Sequence, residues 1–264
     1  MRNIKLTVEY DGTSYSGWQR QPGLPTVQGE LEKALLRISG HSVDLMAAGR
    51  TDAGVHALGQ VCNFRITTRL TPPEIARIAN QLLPGDIRVV KAIGAPDAFH
   101  ATYHAASKIY RYVIRTASEK SVFDRLYHHS LKRARPLDLA AMRRAALRLK
   151  GTHDFRSFQG QTIYKRDPVR TILGVKVVRK GPEVHLEFHG KSFLYQMVRI
   201  LAGTLIYVGL GKIKPDDIPV ILAAKDRRKA GPTLPPGGLF LVKVFYPKDA
   251  GKSRRVSKIE EGIE

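Results

Sequence analysis

One cysteine, Cys62, stands in the 264 residues. A lone thiol rules out an internal disulfide. It also rules out a zinc finger or a zinc-dependent deaminase, each of which needs several Cys ligands. Cys62 lies between Val61 and Asn63 in strand-like sequence, where a small side chain without chemistry is the simpler reading. Long apolar runs are missing too, and none approaches the roughly 18 residues of a membrane span. The opening residues MRNIKLTVEYDG alternate like a strand and hold no apolar signal core, so the expected compartment is the cytoplasm. Acids are scarce: 23 Asp and Glu face 44 Lys and Arg, a net charge of +21. A folded chain with that surplus repels itself unless an anion compensates, and with membranes set aside nucleic acid is the leading partner. Histidines are scattered. His185 and His189 share a strand face, and His128 and His129 are adjacent, but no third ligand or acid is read at metal spacing, so no metal is expected.

Hydrophobic residues make up 43% of the chain, enough for a core. Ile4, Leu6, Val8 and Tyr10 alternate as a strand. Thr26 opens a helix striped by Val27, Leu31, Ala34, Leu35 and Ile38, and Gly40 closes it. A short strand is expected over 43–48 and a longer one over 55–66. Thr71-Pro72-Pro73-Glu74 starts a second helix with a capping box. Strands follow over 87–93 and 108–115, then a helix from Asp138 with Gly151 after its end. A hairpin pairs 169–179 with 183–189 around Lys180-Gly181-Pro182. Apolar helices are expected over 193–208 and 218–224, and a last strand over 239–246. Hairpins mixed with helices indicate an α+β fold. The expected division is 1–105, 106–247 and a polar tail at 248–264.

Two segments bear on function. Residues 125–170 hold twelve Lys or Arg against three acids, with Phe155, Phe158 and Tyr164 interleaved. Basic residues among aromatics suit phosphates and unpaired bases, although any single arginine there is more simply a solvated side chain. The other segment is Gly49-Arg50-Thr51-Asp52-Ala53-Gly54-Val55-His56. Its two glycines permit a tight backbone path that can present Asp52 into a cleft. By spacing alone the signal is weak, because Thr-Asp-Ala-Gly also reads as a plain turn and most Asp-x-Gly turns are only turns. Arg50 has three readings: an ion-pair partner for Asp52, a phosphate contact, or a filler for the space an extruded base leaves.

Gly49 to Ala57 resembles the active-site signature of the TruA family of tRNA pseudouridine synthases. Further similar segments follow in order: Tyr10 to Thr13, Gly17 to Gln21, Thr26 to Gln28, Phe99 to Ala101, Lys108 to Tyr112, Asp154-Phe155, Ser157-Phe158, Phe193-Leu194, Met197 to Arg199 and Gly238 to Leu241. Thr102 and Ile200 depart from the pattern, where the family often has Arg and Asn.

The order of elements reads as two structurally related halves meeting near residues 104–108, each a mostly antiparallel sheet with flanking helices, with the active-site cleft expected between them. The resemblance implies isomerisation of uridine to pseudouridine at positions 38, 39 or 40 of the tRNA anticodon arm. No group is added, so no cofactor is expected. Asp52 matches the catalytic aspartate. Tyr110 matches a tyrosine packed on the target uracil, and Arg199 a basic residue paired with the aspartate. Arg50 is assigned to base extrusion. Family members form homodimers in which one tRNA spans both subunits. Two rivals remain. One is a non-catalytic RNA-binding protein. The other is a metal-dependent nuclease, for which Asp44, Asp52 and Asp86 are too isolated.

Overall fold

The computed structural model describes residues 1–116, 122–131, 136–163 and 167–251. Its strands are β1 (Arg2–Tyr10), β2 (Met46–Ala47), β3 (His56–Ile66), β4 (Ile87–Ala95), β5 (Ser107–Arg115), β6 (His129–Ser130), β7 (Gly151–Asp154), β8 (Val169–Lys180), β9 (Glu183–Gly190) and β10 (Leu239–Phe245). Its helices are α1 (Val27–Ser39), α2 (Pro72–Leu82), α3 (Leu139–Arg148), α4 (Met197–Gly209) and α5 (Asp217–Ala224). The strands form one sheet in the order β4-β1-β3-β10-β5-β9-β8-β7, with β2 on β3 and β6 on β5. Neighbours are antiparallel except β10 with β3 and β6 with β5. The class is α+β, with hairpin connections in the sheet and helices packed on it.

The last strand fixes the geometry. β10 enters between β3 and β5, so residues far apart in sequence meet in register. Ile87, Tyr10, Ala57, Leu241, Tyr110, Phe188 and Val175 stand opposite one another across successive strands. Directly opposed residues share a sheet face, and this row is buried apart from Val175, which is half-buried. Gly59 makes room for β10, because a Cβ there would stand 2.6 Å from the Val242 carbonyl oxygen.

Local chemistry sets the helix ends. The Thr26 hydroxyl accepts from the Gly29 N–H at 3.3 Å, and Gly40 closes α1 at φ 75°. At α2 the Glu74 carboxylate reaches back to the Thr71 N–H and hydroxyl, both at 2.7 Å. The Asp138 carboxylate caps α3 by accepting from the Ala141 N–H at 2.8 Å.

Four expectations need correction. Helix α4 begins at Met197 rather than 193. Gln196 takes a left-handed φ of 56°, and the Tyr195 carbonyl accepts from the Gly160 N–H instead of entering a helical ladder. The strand expected over 43–48 shrinks to Met46–Ala47, and the short strand β7 has no counterpart in the sequence pattern. Phe155 and Phe158 are fully buried and pack edge-on, so neither ring is open to a base. Finally, His185 does have an acid beside it, since Glu183 Oε2 lies 2.7 Å from its Nε2.

Tyr164, the basic residues 132, 133, 135, 165 and 166, and the tail from 252 lie outside the described residues. Of the remaining basic cluster, Arg148 pairs with Asp216 and Arg156 with Asp154, while Arg143 and Arg144 are exposed on α3. Among the described residues no helix is long and apolar enough to cross a membrane.

Candidate active site

The loop from Ala48 to Val55 joins β2 to β3 and is clamped on several sides. The Gly49 carbonyl accepts from Gln60 Nε2 at 2.7 Å. The Thr51 hydroxyl bonds Tyr10 Oη at 2.8 Å, and the Thr51 carbonyl accepts from the Trp18 N–H at 3.1 Å. The Val55 N–H donates to the Asp52 carbonyl at 3.1 Å, closing the turn on itself. Two glycines outside the loop let the chain pass beneath it. A Cβ on Gly17, whose φ is 93°, would come within 2.6 Å of the Thr51 carbonyl oxygen, and one on Gly12 within 2.0 Å of the Val55 carbonyl oxygen. Only residues without a side chain fit at these contacts.

Asp52 therefore projects from a held turn. Arg199, on the first turn of α4, places Nη1 3.2 Å from Asp52 Oδ2. Arg199 Nε also donates to the Leu234 carbonyl at 2.7 Å, which fixes the guanidinium plane. By local rules a cation is misplaced in a first helical turn, where the helix dipole is positive. The carboxylate of Asp52 offsets that. Burial pushes the Asp52 carboxyl above its usual value, and the charge and hydrogen bond of Arg199 pull it back only in part.

Tyr110 lies on the same side. Its ring meets Phe193 edge-on at 5.2 Å between centroids. Burial pushes its phenol well above the usual value, with Tyr10 and Asp52 adding to the effect, so it stays protonated near neutral pH. Leu241, opposite Tyr110, and Leu239, opposite Tyr112, supply apolar wall. The Tyr112 hydroxyl is committed to the Pro235 carbonyl at 2.8 Å.

The structure thus brings Asp52, Arg199 and Tyr110 together. Arg50 is exposed on the same loop, and the ion-pair partner of Asp52 is Arg199 instead. Trp18 is an anchor: it is buried and packs on Tyr10 at 5.9 Å, so it offers no open face to RNA. His56 is likewise committed within the fold. Its Nε2 lies 3.0 Å from the Gly237 carbonyl and 3.2 Å from that of Leu126, and its Nδ1 3.0 Å from Asp11 Oδ1. Sequence reasoning missed the supporting roles of Gln60, Tyr10, Gly12 and Gly17. Their signal was the glycine punctuation around Tyr10-Asp11-Gly12 and Ser16-Gly17-Trp18, which reads locally as turns.

Fold and site together define a strongly basic α+β protein that holds an ion-paired carboxylate, Asp52, on a clamped loop near a buried tyrosine. The model of a family described as tRNA pseudouridine synthase matches residues 6–104 and 145–247. A tRNA pseudouridine synthase A of Thermoanaerobacter sp. (strain X514) is 44% identical over 246 residues, covering 93% of this chain and 100% of that protein. One from Exiguobacterium sp. (strain ATCC BAA-1283 / AT1b) is 48% identical over 248 residues, covering 94% and 99%. One from Geobacillus kaustophilus (strain HTA426) is 46% identical over 247 residues, covering 93% and 95%. The chain belongs to the tRNA pseudouridine synthase family.

Proposed function

We propose that the protein isomerises uridine to pseudouridine at position 38, 39 or 40 of the tRNA anticodon arm, with Asp52 as its catalytic carboxylate. The observation that carries this reading is the Asp52–Arg199 ion pair, held at 3.2 Å on a clamped loop beside a buried tyrosine. In the reaction the bond from N1 to the ribose C1′ breaks, the uracil turns, and C5 bonds to C1′. The C5 proton is released and N1 gains one. Asp52 serves this by attacking C1′, by adding to the ring, or by taking a ribose proton, and in each route it acts as the carboxylate. Tyr110 packs on the uracil as a neutral phenol. Arg50 enters the space that the extruded base leaves in the stem, where unstacking costs a few kcal/mol. A cytoplasmic homodimer would join two basic surfaces along one tRNA.

The test is tritium release from unmodified tRNA labelled at uracil C5, with chelator present, followed by mapping on anticodon arms that keep one uridine each. No release under saturating enzyme would overturn the reading.

Arg199 gives a pH prediction. Burial raises the Asp52 pKa and Arg199 lowers it. The active form is the carboxylate, so activity falls as pH drops through that pKa. Removing the guanidinium removes a lowering cause and must move the acid limb to higher pH. Arg199→Met is expected to shift the limb of the single-turnover rate upward and to cost roughly 10- to 100-fold at neutral pH. Arg199→Lys, which keeps a charge, should fall between it and the parent. An acid limb that stays in place in Arg199→Met would show that the pair does not tune the catalytic group.

A further inference from the structure

Lys108 is the first polar residue of β5 on the face that carries Tyr110, two positions away and so about 7 Å along the strand. Its side chain runs inward to the catalytic loop. A Cβ built on Gly49 would lie 3.1 Å from Lys108 Nζ and 3.6 Å from Cε, so the ammonium rests against the glycine that opens the loop. The Gly49 carbonyl is turned away and accepts from Gln60. Among the described residues Nζ meets no carboxylate and makes no hydrogen bond, and burial lowers its pKa. Asp52 is not its counter-ion, being paired with Arg199.

The ammonium is half-buried yet not sealed, so its three donors can be reached from outside, and no acceptor takes them among the described residues. Such an arrangement is kept where an anion arrives to complete it. The target nucleotide must lie against Asp52 and Tyr110, beside Gly49, if the proposed function holds. That nucleotide carries a phosphodiester on each side of its ribose, within one nucleotide step of the base. We propose that Lys108 Nζ forms a phosphate-binding subsite that grips a backbone phosphate flanking the flipped uridine. The grip sets the ribose against Asp52 while Tyr110 faces the base. Gly49 is part of the subsite, because any side chain there would crowd the ammonium.

The inference rests on the uridine-isomerising reading, and the test separates the two. Wild type, Lys108→Met and Lys108→Arg are each titrated with an anticodon-arm hairpin. Two further hairpins carry a single neutral methylphosphonate on the 5′ or the 3′ side of the target uridine. Wild type is expected to lose about tenfold in affinity for one of the neutral hairpins. Lys108→Met should lose a similar factor on the native hairpin, nothing further on that neutral one, and about one unit of salt slope. Lys108→Arg should recover most of the native affinity. Because Lys108→Met removes a half-buried charge with no carboxylate partner among the described residues, its melting temperature should hold or rise, opposite to the change a structural lysine would give. Independent losses, in which variant and neutral hairpin multiply, would overturn the subsite. So would a Lys108→Met variant that binds like wild type. Tritium release by wild type on the same native hairpin, measured alongside, shows whether the underlying activity stands when the subsite does not.

Discussion

Asp52→Ala is expected to lower single-turnover conversion of uridine by at least about 10⁴-fold, or roughly 5.5 kcal/mol of barrier. The size follows from the site. Whichever route the reaction takes, an ionised carboxylate has to stand at the glycosidic bond. The loop presents one, and its neighbours Arg199, Tyr110 and Lys108 are cationic or neutral and cannot replace it. Binding should behave differently. A carboxylate that faces a polyanion opposes association, and its removal frees Arg199 for RNA. Affinity for unmodified tRNA should therefore stay within about threefold of wild type or tighten. Asp52→Asn keeps the shape and an acceptor for Arg199 but not the charge, so it should lose nearly as much turnover. Tritium release and filter binding on the same preparations decide the matter. Turnover within tenfold of wild type in either variant would remove Asp52 from the chemistry. Lost turnover together with lost binding would make it a folding residue.

Much of the fold was legible because its signals are local. Thr26 and Gly40 bracket α1, Asp138 caps α3, and the alternation of β1, β5 and β9 matches their buried faces. Where the reading failed, a long-range contact had overridden a local pattern. Residues 193–196 are apolar enough to extend α4, yet their backbone is spent on Gly160 and on the left-handed turn at Gln196. Phe155 and Phe158 sit among basic residues in sequence but point into the core. At the site the same division holds. An arginine in an apolar helix needs an anion, and that need is visible in the sequence. That Asp52, 147 positions away, stands within ion-pair distance depends on β10 entering between β3 and β5. The cation nearest to Asp52 in sequence is Arg50, whereas the fold supplies Arg199 from α4. Lys108 opens one of the segments that carry the resemblance, but its place against Gly49 became visible only in the fold.

The glycines under the loop carry the second large expectation. Gly12→Ala is expected to cut turnover by about 100-fold, with a loss of roughly 1–3 kcal/mol in stability. The argument is steric. A Cβ on Gly12 would stand 2.0 Å from the Val55 carbonyl oxygen and 2.6 Å from its carbon. Both are backbone atoms, so no side-chain rotation relieves the contact, and residues 11–13 or 52–55 must move by more than 1 Å to reach ordinary van der Waals separation. The loop has little slack. Asp52 is bonded to Val55 within the turn, Thr51 is tied to Trp18 and Tyr10, and Gly49 is tied to Gln60. Displacement at Val55 therefore reaches Asp52 and lengthens its reach to both Arg199 and the ribose. Catalysis that depends on a near-attack geometry loses about two orders of magnitude for an ångström of misplacement, whereas tRNA binding spreads over many phosphate contacts. Turnover should thus fall far more than affinity. Gly94→Ala on β4, where nothing lies within 4 Å of the added carbon, is the matched control and should be silent in both assays. Wild-type turnover in a folded Gly12→Ala enzyme would mean that the loop is not held from below, and the positioning role of Tyr10-Asp11-Gly12-Thr13 would fall with it.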